Sequence, residues 1–327
     1  MPSQDIERRS VQILPSDARH VLISLNPNSG SVSGKPLADD LTAHLRQRNF
    51  LVELVMEPAV LAKRSAELSA TGNLRAVVSA GGDGTAAMVV NLTPVGTPLA
   101  ILPLGTENLL AKYLEITDSA AEVAERIQQG CTVNLDAGQA ENRVFLLMVG
   151  VGFDAEVVRQ LHETRTGNIR HLTYLKPLLN TLRRYRYPEI RIQADTGERM
   201  APPTTSPLRL ARWAFVVNLP KYAFGLKIAP AAKGTDNLLD VCTFQGGSLI
   251  SSLRYVAGVI TGKHRSWRDC ETFQTKRIRI ESDEEVPYQL DGDPGGHLPV
   301  EISVLPERLT VLISETWASR HGFDKPK

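Results

Sequence analysis

From His20 to Gln129 the chain alternates short aliphatic runs with amphipathic stretches, and few folds accommodate that alternation. His20 to Leu25 reads as a strand that ends at the turn formers Asn26-Pro27-Asn28-Ser29-Gly30. Pro36 then stands where a first helical residue would, and Leu37, Leu41 and Leu45 recur at fourfold spacing down to Arg48. The pattern repeats with a strand over Leu51 to Met56, a helix from Pro58 to near Gly72 and a buried strand over Leu74 to Ser79. A strand over Leu99 to Leu102, a short helix over Glu107 to Leu114 and an Ala-rich helix over Asp118 to Gln129, stopped by Gly130, complete it. Such alternation predicts an α/β domain, a doubly wound, mostly parallel sheet covered on both faces. Ligands of such sheets bind beyond the carboxyl ends of the strands.

After Thr132 the texture changes to strand-like runs: Thr132 to Ala137, Val144 to Val151, Glu189 to Ala194, Trp213 to Asn218, Leu239 to Phe244 and Lys276 to Glu281. Two helical stretches interrupt them, about Ile169 to Arg186 and about Ser248 to Gly262, and Ala201 to Pro207 reads as a loop. A chain of 327 residues has room for two cores.

Composition removes several function classes. No apolar stretch approaches the roughly eighteen residues that a spanning helix needs. The 37 Lys and Arg residues nearly balance 36 Asp and Glu, so no nucleic-acid partner is expected. Residues 1–19, with Asp5, Glu7, Arg8 and Arg9, lack the apolar core of a secretory signal and are read as an extension of a cytoplasmic protein. Cys131, Cys242 and Cys270 are odd in number and widely spaced, which suggests reduced, buried thiols without metal.

Two turns carry the chemistry. Gly81-Gly82-Asp83-Gly84-Thr85 joins a buried strand to a helix, so glycine N–H groups and a helix N-terminus can meet an anion there. Asp83 does not itself welcome phosphate; it implies a bridging Mg²⁺ or a proton-accepting task, and a helix cap is the plain alternative. About twenty residues on, Pro103-Leu104-Gly105-Thr106-Glu107-Asn108 repeats the strand–turn–helix arrangement, with Thr106 placed to cap and Asn108 placed to fix a neighbouring loop. Gly30 through Pro36 lacks Walker A spacing.

The order Asn26-Pro27-Asn28-Ser29-Gly30, Gly81 to Thr85, Pro103 to Ala111 and Gly150-Val151-Gly152-Phe153-Asp154-Ala155 resembles the catalytic domain shared by diacylglycerol and sphingosine kinases and related bacterial lipid kinases. The resemblance implies a nucleotide domain over 20–131, a β-sandwich substrate domain over 132–300, and a segment 301–327 that returns to the first domain. It also implies a cleft active site using ATP and Mg²⁺, with Asn26, Gly81, Gly82, Gly84, Thr85, Gly105, Thr106 and Asn108 on the nucleotide. Thr235-Asp236-Asn237-Leu238-Leu239-Asp240-Val241 resembles the segment that holds a structural Mg²⁺ through Asp236, Leu238 and Asp240; an Asx turn is the plain reading. Leu290-Asp291-Gly292-Asp293 resembles the family's late turn whose last acid accepts the proton. Asp293 is one methylene shorter than the usual Glu, so Asp291 or Asp83 is a candidate to share the role.

The chain departs from the family where an Asn-Glu pair is usual and Ala87 and Met88 stand, and where some relatives have a nucleotide-contacting Thr and Val55 stands. Ala87 and Met88 make a nucleotide-binding regulatory protein one rival reading, and an NAD kinase-like enzyme, which uses a similar glycine turn, is the other. A lipid acceptor implies work at a membrane surface, on its inner face. The basic, Leu- and Tyr-rich stretch Arg170 to Tyr187 and the cluster Lys263 to Arg268 with Trp267 are candidate contacts; packed helices with solvated charges are the alternative. No motif fixes the oligomeric state, a homodimer included.

Overall fold

Wherever the apolar residues recur every third or fourth position a helix forms, and the continuous aliphatic runs become buried strands. The computed structural model describes residues 9–26, 34–163, 185–195, 207–222, 226 and 228–324. One unit runs to Asp136 and resumes at Pro306; the other is Ala137–Leu305.

The first unit follows the order β1 (Gln12–Ile13), β2 (His20–Leu25), α1 (Lys35–Gln47), β3 (Leu51–Val55), α2 (Pro58–Ala70), β4 (Leu74–Gly81), α3 (Asp83–Leu92), β5 (Pro98–Pro103), α4 (Leu109–Tyr113), α5 (Ala120–Gln129) and β6 (Cys131–Ala140). Strands β3, β2, β4 and β5 lie side by side and parallel. The chain leaves β2 for β3 on one side and returns to β4 on the other, so the strand order reverses at β2 and β4. In such sheets that reversal opens a crevice at the carboxyl ends. Every residue of β4 is buried, as a strand covered on both faces must be. Arg75 on β4 is also buried and donates to the carbonyls of Ile127 and Gln128, capping the end of α5; burial lowers the pKa of its guanidinium.

The second unit adds β7 (Arg143–Phe145), β8 (Met148–Val151), α6 (Phe153–Glu163), β9 (Ile190–Asp195), β10 (Arg209–Ala211), β11 (Trp213–Val217), β12 (Leu239–Phe244), α7 (Leu249–Thr261), β13 (Cys270–Thr275), β14 (Arg277–Glu281), β15 (Pro287–Leu290), β16 (Asp293–His297) and β17 (Val300–Leu312). A last helix, α8 (Glu315–Arg320), belongs to the first unit. Strands β13, β12, β11, β8, β15 and β16 form one antiparallel sheet. Strands β10, β9, β14 and the start of β17 form another. Val149, Val216 and Val241 of the first share a buried cluster with Ile192, Ile280 and Ile302 of the second, which makes the unit a β-sandwich. The far end of β17 pairs parallel with β5 in the first unit, Thr310 opposite Pro98.

The structure departs from expectation in instructive places. The run Val144 to Val151 breaks into β7 and β8 because the N–H groups of Leu146 and Leu147 turn to the Asp291 carboxylate. Helix α6 and strands β13, β15, β16 and β17 are additional to the elements expected from the sequence. Within the described part of residues 1–19, β1 pairs with β6, and Arg9 donates to the buried Asp136 carboxylate, so this segment is woven into the first unit rather than appended. Cys242 and Cys270, remote in sequence, bring their sulfurs to 3.6 Å across paired strands as free thiols. Residues 169–184 of the expected basic helix, and 201–206 of the Pro-rich loop, lie outside the described residues. Among the described residues no helix is long and apolar enough to cross a membrane.

Ile280 is fully buried between the two sheets of the sandwich. Its replacement in Ile280→Ala is expected to destabilise the second unit by about 2–5 kcal/mol, read by urea unfolding.

Candidate active site

The two glycine turns grow from neighbouring strands, and the register fixes their meeting. Gly81 at the end of β4 pairs with Pro103 at the end of β5, and Leu104 N–H donates to the Gly81 carbonyl at 2.9 Å. Beyond that bond the backbones touch where both lack side chains. A Cβ on Gly105 would lie 2.5 Å from the Gly82 Cα, which only glycine avoids. A Cβ on Gly81 would collide with the Thr85 side chain, so that glycine is required by the buried threonine below it.

Asp83 clasps the pair. As the first residue of α3 it reaches to the second turn, where its carboxylate accepts the N–H groups of Leu109 at 2.8 Å and Leu110 at 2.9 Å. These are unpaired donors of the first turn of α4, so Asp83 caps a helix that is not its own. Burial pushes its carboxyl above the usual range, opposed by those two N–H bonds. Its residue surface is only half covered, yet the charged end is enclosed, and the two hydrogen bonds show that enclosure directly. Each of its oxygens holds a backbone donor, so Asp83 acts as a clasp between the two turns. Asn108 completes the second turn. It adopts a left-handed conformation, φ 49°, while its amide oxygen accepts Gly105 N–H and its amide nitrogen donates to the Gly105 carbonyl.

Asn26, at the end of β2, reaches Thr85 Oγ1 at 3.4 Å, so all three strand ends converge. Gly84 and Thr106 are exposed at the tips of their turns. Along the second turn, between α1 and α4, opens a cavity of about 650 Å³, lined by Gly34, Leu37, Leu104, Gly105, Asn108 and Lys112 among others. That volume suits a nucleotide-sized ligand. Ala87 and Met88 are half-buried on α3, in the turn after Asp83.

The second unit holds the late acidic turn. Asp291, in a left-handed conformation with φ 51°, has a carboxylate that accepts the N–H groups of Leu146, Leu147 and Met148 between 2.6 and 2.9 Å. It too is a clasp, with three backbone donors on its two oxygens. Gly292 N–H donates to Gln289 Oε1, Gln289 Nε2 donates to Asp154 Oδ2, and Tyr222 donates its hydroxyl to Asp154 Oδ1. Gly150 makes room for this, because a Cβ there would stand 2.1 Å from Asp154 Oδ2. Asp154 is buried, and burial raises its pKa against the two hydrogen bonds that lower it. His162 on α6 closes the turn from outside, with Nε2 3.1 Å from the Gly292 carbonyl oxygen and 3.4 Å from Asp293 Oδ1. Within this anchored turn Asp293 remains half-exposed. It is the carboxylate of the three candidates that is left accessible.

The sequence places Asp154 and Gln289 in recognisable motifs without giving either a task, and it does not single out Tyr222 or His162. Their partners lie 68 to 135 residues away, and no spacing rule reaches that far.

The proposed metal segment does not fit the ion. Asp236 and Asp240 converge, but Gln274 Nε2 lies 3.4 and 3.3 Å from their Oδ2 atoms and bridges them. Asp236 Oδ1 also accepts the Leu238 N–H, which is the Asx turn. Among the described residues no cluster of three or more His, Cys, Asp or Glu side chains can hold a metal. Asn237 takes φ 61°, where the family has glycine.

Comparison with known proteins agrees with this geometry. Residues 20–140 match the diacylglycerol kinase catalytic domain, and residues 147–313, half of the chain, match the YegS C-terminal NAD kinase beta sandwich-like domain. The chain belongs to the diacylglycerol kinase-like lipid kinase family. A diacylglycerol kinase of Mycobacterium tuberculosis is 29% identical, over 91% of this chain and 94% of its own length. One of Bacillus subtilis is 25% identical, over 79% and 84%. The crystal structure of a diacylglycerol kinase from Bacillus anthracis superimposes with a TM-score of 0.67 at 22% identity, over 91% of this chain and 98% of that one. It shares the fold.

Two outcomes follow from the family's clasps as they stand in this chain. Gly105→Ala forces the turns apart and is expected to lower stability by about 1–3 kcal/mol in urea unfolding. Asp154 is raised above its unfolded value of about 3.9, so its contribution is full below that pH and is lost as pH rises through the folded value. Wild-type stability relative to Asp154→Asn should therefore fall as pH rises above about 4; a flat difference would contradict the burial of this charge.

Proposed function

We propose that the chain transfers the γ-phosphoryl group of MgATP to the hydroxyl of a lipid, diacylglycerol-like or sphingoid-like. The observation that carries the proposal is the clasped pair of glycine turns, which brings the first turn of α3 against the Gly105–Asn108 turn, itself part of the wall of a 650 Å³ cavity that a polyphosphate could enter. The names of the relatives supply the lipid class.

In the proposed reaction the turns hold the phosphates in line with the acceptor. Asp293 takes the proton of the attacking hydroxyl as the new O–P bond forms; the bond from the γ-phosphorus to the β–γ bridging oxygen breaks, leaving ADP and a lipid phosphate. His162 shares a hydrogen with Gly292 and Asp293 and so holds the accepting oxygen in place. Most of the rate then comes from positioning and electrostatics. The enzyme would work from the cytoplasmic side, against a membrane surface.

The decisive experiment offers labelled ATP with Mg²⁺ and a panel of diacylglycerol, sphingoid base, phosphatidylglycerol and NAD. Label in a lipid is the expected outcome; label in NAD alone would establish the soluble-acceptor reading. ATP binding without turnover on any acceptor would point instead to a regulatory protein, the role that Ala87 and Met88 suggest. Asp293→Asn should lower turnover by about 10²- to 10⁴-fold while MgATP binding persists. Asp83→Ala should abolish MgATP binding and cost about 2–4 kcal/mol, because two buried N–H groups lose their acceptor. Titration calorimetry with unfolding curves separates the two effects.

A further inference from the structure

Helix α7 is apolar on two sides, and the fold uses one of them. Ser252, Tyr255, Gly258 and Val259 are buried against the domain. Tyr255 is fixed there by its hydroxyl, which donates to Asp269 and accepts from Gly246 N–H, and its ring packs on Phe244. Gly258 admits the Trp267 ring, since a Cβ would meet that ring at 2.3 Å. The opposite arc carries Leu249, Ile250, Leu253 and Ile260, with Ile250 80% exposed and Ile260 63% exposed. A helix apolar on both sides belongs in a protein core or in contact with lipid. This one is firmly seated, so the outward residues are not the by-product of a loose helix.

The charge around the arc identifies the occupant. From Gly246 to Arg268 the chain has no Asp or Glu, while Arg254, Lys263, Arg265 and Arg268 are all exposed. Arg254 packs over the Trp267 ring at 4.8 Å and pairs with Asp269, and the other three extend the cationic edge. A two-fold contact between copies would set this edge of like charge against itself, which is unfavourable. A layer of anionic headgroups over acyl chains satisfies both features at once. At 13 residues the helix is about 20 Å long, too short for a bilayer core of about 30 Å, so it lies on the surface instead of spanning it.

Given the lipid acceptor proposed above, we propose that the outer face of α7 and the Lys263–Arg268 segment dock the protein on an anionic bilayer, with Ile250, Leu253 and Ile260 entering the interface. The test is co-sedimentation of the full chain with phosphatidylglycerol–phosphatidylcholine vesicles, alongside Ile250→Glu with Leu253→Glu, and separately Lys263→Gln with Arg265→Gln and Arg268→Gln. All these side chains face solvent, so each variant should melt with the wild type.

Wild type should bind anionic vesicles and release them with salt. The apolar pair should weaken that binding by roughly a hundredfold, and the triple variant should flatten its salt dependence. Unchanged vesicle binding in both variants overturns the proposal. So does a wild type that ignores the vesicles, or a concentration-dependent dimer that Ile250→Glu dissolves. Turnover on a short-chain, water-soluble diacylglycerol should be equal in all three proteins. If none phosphorylates it while the vesicle results hold, the acceptor assignment fails and the docking face stands.

Discussion

Gly82 and Gly105 are in backbone contact, and the first unit is organised around that approach. Parallel pairing of β4 with β5 brings the two turns to one edge, but pairing alone would leave them side by side with their helix ends unsatisfied. The Asp83 carboxylate converts proximity into attachment by holding two N–H groups of α4. Charge is placed economically by this arrangement. The N-terminus of α4 is neutralised internally, and the N-terminus of α3 keeps its field for whatever anion enters.

The same device recurs in the second unit. Asp291 binds three consecutive N–H groups at the start of β8, interrupting what would have been one strand. Both aspartates sit in glycine-flanked turns whose sequences resemble reactive motifs, and both spend their oxygens on backbone. Their carboxylates cost desolvation, and charge-assisted hydrogen bonds offset it. What these clasps make rigid is a neighbour: the Gly105–Asn108 turn in one case and Asp293 in the other. An acid that must accept a proton needs an accessible oxygen, and the accessible one is Asp293.

Much of this was legible in the sequence because it is local. The fourfold spacing of Leu37, Leu41 and Leu45 and the buried run Leu74 to Ser79 each report one element, and the elements in order report a doubly wound sheet. The glycine turns were legible for the same reason. The division of labour among Asp83, Asp291 and Asp293 was not, since it depends on donors 26 to 145 residues away. Strand β17 escaped notice because its middle, Leu305-Pro306-Glu307-Arg308, is polar and half-exposed, which interrupts the two-residue alternation.

Gln274 stands between the two acids of the segment that resembles a metal site. Asp236 and Asp240 still converge, and burial together with mutual repulsion raises the Asp240 carboxyl. An amide nitrogen between the two oxygens supplies hydrogen-bond donors where a cation would supply charge, and it does so without the dehydration that Mg²⁺ resists. In this structure Asn237 takes the left-handed position of the turn and Gln274 links its two acids. A local sequence match transfers the backbone path of such a segment; the ion follows only when every donor is retained, and here Thr235 stands where a third acid would be.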